Sequence, residues 1–223
     1  MGLWTGKDRV VIERVVEGLN EALNEATVTG LRLSPDGSVV ILLYVLALPE
    51  HGPVDPDTRR ALILSGASTV RVLLRRERPA ESPRYGPAIP LGDFSAVEEF
   101  FASIAVSGSM YGWEFLDNPD LTNDWPSVIS LEHTQKPAAA AHRLHWFNEC
   151  GLPTPDGYLP HCIEGVIDFT ELAVERFDGS PIPVDAFIAA GTRWWRALFH
   201  DDPRVSVEAQ RAQDPPLSWR PFP

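Results

Sequence analysis

The stretch Ile163–Phe199, IEGVIDFTELAVERFDGSPIPVDAFIAAGTRWWRALF, decides the reading of the fold. Ile163, Gly165, Ile167 and Phe169 alternate with Glu164, Val166, Asp168 and Thr170, the period of two expected of a strand with unlike faces. Asp178-Gly179 supplies a turn, because glycine reaches positive φ without a Cβ clash. From Asp185, in the position of an N-cap, Phe187, Ile188, Gly191, Trp194, Trp195 and Leu198 recur at helical spacing. Adjacent residues lie about 100° apart around a helix, so Trp194 and Trp195 cannot both centre one stripe. The line Phe187, Gly191, Trp194, Leu198 predicts Trp194 as the core anchor and Gly191 as the point of close approach to a sheet. Trp195 is left at the margin, open to a partner.

An earlier segment echoes this one. Ile182-Pro183-Val184, Phe187 and Trp194-Trp195 match Ile89-Pro90-Leu91, Phe94 and Phe100-Phe101, with the aromatic doublet one residue further out in the second copy. Two readings account for the match: an internal duplication of a sheet closed by a helix, or a chance likeness of two amphipathic helix starts. The expected fold class is α+β, mainly antiparallel sheet with helices packed on one face. The expected division is a first sheet-plus-helix half over residues 1–105, a second over 106–200, and a proline-rich tail over 201–223, the halves packed as one unit. Trp219 and Phe222 are the residues expected to pin the tail.

Working outward, Ile12, Val15, Val16, Leu19, Leu23 and Ala26 line one face of an N-terminal helix, with Thr5 to Asp8 a loose capping box. Glu13, Glu17, Asn20, Glu21 and Asn24 form its polar face, read as solvated. Ser34-Pro35-Asp36-Gly37 makes a hairpin turn before the apolar run Val39–Leu48. Ala61–Leu74 reads as strand, bent or bulged near Gly66. Arg71, Arg75, Arg76 and Arg78 near its end read as edge-strand protection. A helix is expected from about Asp93 to Ala105, and further strands over Tyr111–Leu116, Val128–Leu131 and Leu144–Phe147.

Composition narrows the functional classes. The chain of 223 residues carries 19 Lys and Arg against 31 Asp and Glu, a formal charge of -12. A nucleic-acid binder needs a basic footprint, which this balance argues against. An acidic surface suits a basic partner drawn in by long-range attraction, and it also serves plain solubility. No apolar run reaches membrane-span length, and the N-terminal residues show neither a signal core nor a myristoylation pattern, so a cytoplasmic protein is expected.

No motif announces a chemistry. His142, His145, Cys150, His161 and Cys162 are the richest cluster of metal-type ligands. His142 and His145 differ by an odd number, so a regular strand sends them to opposite faces, and no metal or other cofactor is expected. His142, His145, His161 and Cys162 stay as the alternative metal set. Cys150 and Cys162 flank eleven residues, Gly151 to His161, read as a loop; paired flanking strands would bring the sulfurs within bridging reach, but a reducing compartment favours free thiols. Asp117, Asp120 and Asp124 share an acidic loop without EF-hand spacing. Glu164 and Asp168 share a strand parity and, with Asp117, offer carboxylates for acid–base work or for a partner. Gly108-Ser109 lacks the glycine that a nucleophile elbow needs, and no P-loop or Rossmann fingerprint is present.

The expected function is therefore a non-catalytic acidic binding protein, of the immunity-protein or antitoxin kind, acting on a basic partner protein. Asp117, Asp120, Asp124, Glu164, Asp168 and Trp195 are its candidate contact residues. The alternatives are a hydrolase using the His/Cys cluster or the paired carboxylates, and a scaffold or small-ligand carrier.

Overall fold

A computed structural model describes residues 6–78, 82–110, 114–135 and 140–211. In chain order the elements are helix α1 (Gly6–Leu23), strands β1 (Thr27–Leu33), β2 (Val39–Tyr44), β3 (Arg59–Ser65), β4 (Thr69–Glu77) and β5 (Tyr85–Ala88), and helix α2 (Phe94–Ser103). Strands β6 (Val106–Ser107), β7 (Leu131–Thr134), β8 (His142–Thr154), β9 (Gly157–Phe169), β10 (Glu171–Arg176) and β11 (Pro181–Ile182) follow, then helices α3 (Val184–Phe199) and α4 (Val207–Arg211). They build an α+β protein with two antiparallel sheets. Sheet A runs β1-β2-β3-β10-β11; sheet B runs β5-β4-β9-β8-β6, with β7 also beside β4.

The two sheets are joined at a corner made by two bent strand pairs. β3 passes into β4 through Gly66–Ser68, and β9 into β10 through Thr170, so each pair runs from one sheet to the other. Pairing holds through the bend: Ser68 N–H donates to the Asp168 carbonyl at 2.8 Å and Thr170 N–H to that of Ser65 at 3.0 Å. Gly66 sits at φ +62, and a Cβ there would come 2.2 Å from Thr170 Oγ1, so the bend needs glycine on both counts. Each sheet takes strands from both halves of the chain. Ile182 lies in β11 of sheet A, whereas Ile89 follows β5 of sheet B and donates to the Leu74 carbonyl. This topology does not show a duplication.

The segment read as a loop between the cysteines is the end of the longest hairpin. β8 and β9 pair from His142↔Phe169 to Thr154↔Gly157, leaving Pro155-Asp156 as the turn. Its prolines misled the reading because this end overhangs its neighbours. β6 reaches only to Gly151 and β4 only to His161, so Pro153 and Pro160 interrupt no outer ladder.

One core serves both sheets. Val39, Ile41, Leu43, Leu62 and Leu64 of sheet A meet Val70, Val72, Ile163, Ile167 and Trp146 of sheet B. α2 begins at Phe94, with Asp93 as the cap accepting from Ala96 N–H at 3.1 Å, and lays Phe101 against Trp146. α1 and α3 pack on each other: a Cβ on Gly191 would stand 2.6 Å from Ala22 Cα. Gly191 thus admits a helix, not the sheet that its stripe predicts. Trp194 is buried, as the stripe predicts, in a small cluster with Leu48, Ala197 and Val205. Asp185 lies in the first turn of α3; Pro183 holds the cap position and makes no side-chain cap bond. Asn20 on α1 and Asn24 just after its end, both read as solvated, are buried. Asn20 Oδ1 accepts from the Phe115 and Leu116 amides, both at 2.9 Å, which ties the acidic loop to the helix. Thr5, Tyr111, Trp219 and Phe222 lie outside the described residues. Among the described residues, no helix is long and apolar enough to cross a membrane.

Candidate functional site

Strand alternation places Arg71, Arg75, His145, Glu149 and Glu164 of sheet B together on its outer face. Arg71, Leu73 and Arg75 of β4 lie across from Val166, Glu164 and Cys162 of β9, and these lie across from His145, Phe147 and Glu149 of β8. The charges close into ion pairs. Arg75 Nη2 donates to Glu164 Oε1 at 2.5 Å, while Glu164 Oε2 faces His145 Nε2 at 3.3 Å. Arg143 grips Asp168 with Nε at 2.7 Å and Nη2 at 3.1 Å. Arg84 bridges Glu77 and Glu149. Tyr85 sits beneath two guanidinium groups, Arg75 at 4.4 Å and Arg84 at 5.3 Å. Burial pushes its phenol up to about 12.

This face is partly roofed by the loop between β6 and β7. The His145 amide donates to the Phe115 carbonyl at 2.7 Å, the Asp117 amide to that of Arg143 at 2.8 Å, and Leu116 bridges Leu144, so the loop runs as a short edge partner of β8. Further on, the Trp125 ring lies 6.4 Å from the His145 ring and 5.4 Å from the Arg71 guanidinium carbon. Glu164 and His145 are both buried beneath it. Four buried nitrogens on this face, Arg71 Nε, Arg75 Nε, Trp125 Nε1 and His145 Nδ1, have no hydrogen-bond partner.

The His/Cys cluster is split by the sheet. In the β8–β9 register Cys150 opposes His161 and Cys162 opposes Glu149, so the two sulfurs project from opposite faces and cannot bridge. Burial, reinforced by Glu149, holds the Cys150 thiol up at about 12; burial and then Glu164 raise Cys162 as well. His161 turns inward against Phe100, and its Nδ1 lies 2.9 Å from the Leu159 carbonyl. His142 packs on Phe169 and pairs with Asp117 at 3.0 Å, on the face opposite His145. Among the described residues, no three His, Cys, Asp or Glu are grouped to hold a metal ion.

A second place gathers at the end of the molecule where α1, α3 and the acidic loop meet. A cavity of about 310 Å³ is walled by Val15, Val16 and Leu19 of α1, Leu116 of the loop, Leu172 of β10 and Val184 of α3. Its polar lining is His142, Thr170 and Asp185. Asp117, bonded to His142, adds a second carboxylate at that rim. The loop carries Asp120, which accepts from Asn123 Nδ2 at 3.1 Å, and exposed Asp124. The structure thus brings Asp117 to His142 and Glu164 to His145, and leaves Trp195 apart on α3, where its indole donates to the Glu21 carbonyl at 3.1 Å.

Arg71, Arg75, Trp125 and Tyr85 were not among the residues singled out for function. Arg71 and Arg75 carried a signal, two arginines of equal parity on one strand. Edge protection does not account for them, because β4 is flanked on both sides. Trp125 sits in a loop and carries no periodic signal. Comparison with known proteins adds nothing further: no family model, no curated protein and no solved structure matches the chain.

Proposed function

We propose that this is a non-catalytic binding protein of the cytoplasm that engages a basic partner protein, as an immunity protein or antitoxin does. The observation that carries the reading is the apolar cavity of about 310 Å³ with Asp185 and the Asp117–His142 pair at its lip. An apolar side chain entering from a basic segment fills the cavity while its cationic neighbours meet carboxylates. Hydrophobic anchor and charged rim are the usual division of labour in protein recognition. The net charge of -12 draws such a partner in from a distance. Asp120 and Asp124, on the same loop, extend the acidic rim, and nucleic acid and membrane surfaces fit this charge poorly.

The hydrolase alternative has less to work with. Glu164 and Asp168 already answer cations, and both thiols are held in the neutral form that does not attack. The small-ligand carrier keeps one specific support, since the cavity volume lies at the lower end of the range for small-molecule sites, about 300–1,000 Å³.

Affinity capture from the native host with the wild-type chain and with Val184→Trp, which fills the cavity, tests the proposal. A basic protein held by the wild type, released by salt and lost with Val184→Trp is the expected result. Capture that is indifferent to both salt and the variant sinks it. A small molecule released from the denatured wild type favours the carrier.

A further inference from the structure

The outer face of sheet B lies apart from the cavity and carries unmet hydrogen-bonding groups of its own. We propose that the β4–β9–β8 face under Trp125, centred on the Arg71 guanidinium and the Trp125 indole, binds an oxyanion, the carboxylate or phosphate group of a small molecule or of another chain. A buried donor left without a partner destabilises by about 1–3 kcal/mol, so such groups are rare and scattered in folded proteins. Arg71 Nε and Trp125 Nε1 are both in that condition, and the Trp125 ring lies against both the Arg71 guanidinium and the ring of His145, which shares a sheet row with Arg71. His145 is only 6% exposed.

Charge then selects the ligand. Arg75 is answered by Glu164, Arg143 by Asp168 and Arg84 by Glu77 and Glu149. Among the described residues Arg71 is the one arginine on this face without a carboxylate. Its ladder neighbour Glu132 is exposed and forms no ion pair with it. The Trp125 ring stacks near the guanidinium and holds it in place. A buried water satisfies lone N–H groups but leaves the guanidinium charge unanswered, whereas an oxyanion satisfies both. Guanidinium cannot shed its proton to relieve the mismatch. The indole offers a single N–H, which suits a carboxylate or phosphate oxygen and not a second cation.

Titration of ¹⁵N-labelled protein with sodium phosphate and, separately, sodium acetate reads the site directly. Trp125→Phe identifies the Trp125 indole resonance by its disappearance while keeping the aromatic cover. A saturable shift of that resonance with either salt is expected, absent in sodium chloride at equal ionic strength. The salt giving the tighter curve identifies phosphate or carboxylate as the group read. Arg71→Gln should weaken the affinity by about tenfold or more, the loss expected for one charge-assisted contact. A shift that grows linearly in all three salts, or a curve unchanged by Arg71→Gln, overturns the proposal and leaves the donors to buried water.

Discussion

The two faces of β9 are both buried, and they are buried for different reasons. Toward the core, Ile163 and Ile167 lie in the apolar cluster shared by the two sheets and Trp146 covers Gly165, so close packing sets the stability there. Toward the outside, Cys162, Glu164 and Val166 are just as hidden, though there the contacts are ion pairs and the cover is partly a loop. On the inner face shape decides which side chains are admitted. On the outer face each charge must have its counter-charge, and a removed partner leaves an uncompensated ion.

The comparison predicts the largest loss on the inner face. Trp146→Ala, at a site 1% exposed, should cost about 3–5 kcal/mol in urea unfolding, close to the most that one truncation removes. Glu164→Ala should cost about 3 kcal/mol, since it strands Arg75 beside a neutral neighbour. A joint Glu164→Leu, Arg75→Met replacement should recover most of that loss. If the double replacement is as unstable as Glu164→Ala, the outer face is held by shape and the contrast fails.

A smaller effect comes from the thiols on the two faces. Burial raises both, so the folded state keeps protons that the unfolded chain releases near its ordinary thiol value of about 8.5. Their contribution is therefore fully present below that pH and is lost as pH rises above it, by up to about 1.4 kcal/mol per pH unit for each thiol. Urea midpoints between pH 8.5 and 10 should fall steeply for the wild type and flatten in the Cys150→Ala, Cys162→Ala double variant. Equal slopes would show that other groups govern alkaline unfolding. The smallest effect belongs to Arg143→Ala: the side chain is 44% exposed and its pair with Asp168 is worth under about 1 kcal/mol. A loss above 2 kcal/mol would mean that this pair belongs with the buried ones.

How much of this was legible follows from the same contrast. The alternation Ile163, Gly165, Ile167 against Glu164, Val166, Asp168 marks two faces, and a strand periodicity says no more than that. It does not say that a loop some forty residues upstream in sequence will roof the polar one. Asn20 was misplaced for that reason, since its partners are the Phe115 and Leu116 amides and not its helix neighbours. The bend at Gly66 and the inward set of Trp194 were readable because local sterics and helical spacing fix them. The close approach at Gly191 was readable as an approach, but not which element approached. The prolines of the β8–β9 hairpin look like loop residues until the shortness of β4 and β6 leaves them without a ladder to break. Trp125 and the grouping of unmet donors around it had no sequence signal at all, since they arise from register and loop placement together.

The proposal that a basic partner is received by an acid-rimmed apolar cavity is tested most directly with methyl-labelled protein and two short peptides. One alternates lysine with leucine; the other alternates glutamate with leucine. The account predicts that the lysine peptide shifts the methyl resonances of Val15, Leu19, Leu116, Leu172 and Val184, which line the cavity, and that added salt weakens the effect. The glutamate peptide should leave them unmoved. Equal shifts with both peptides, or shifts from the lysine peptide that spare these five residues, would contradict it.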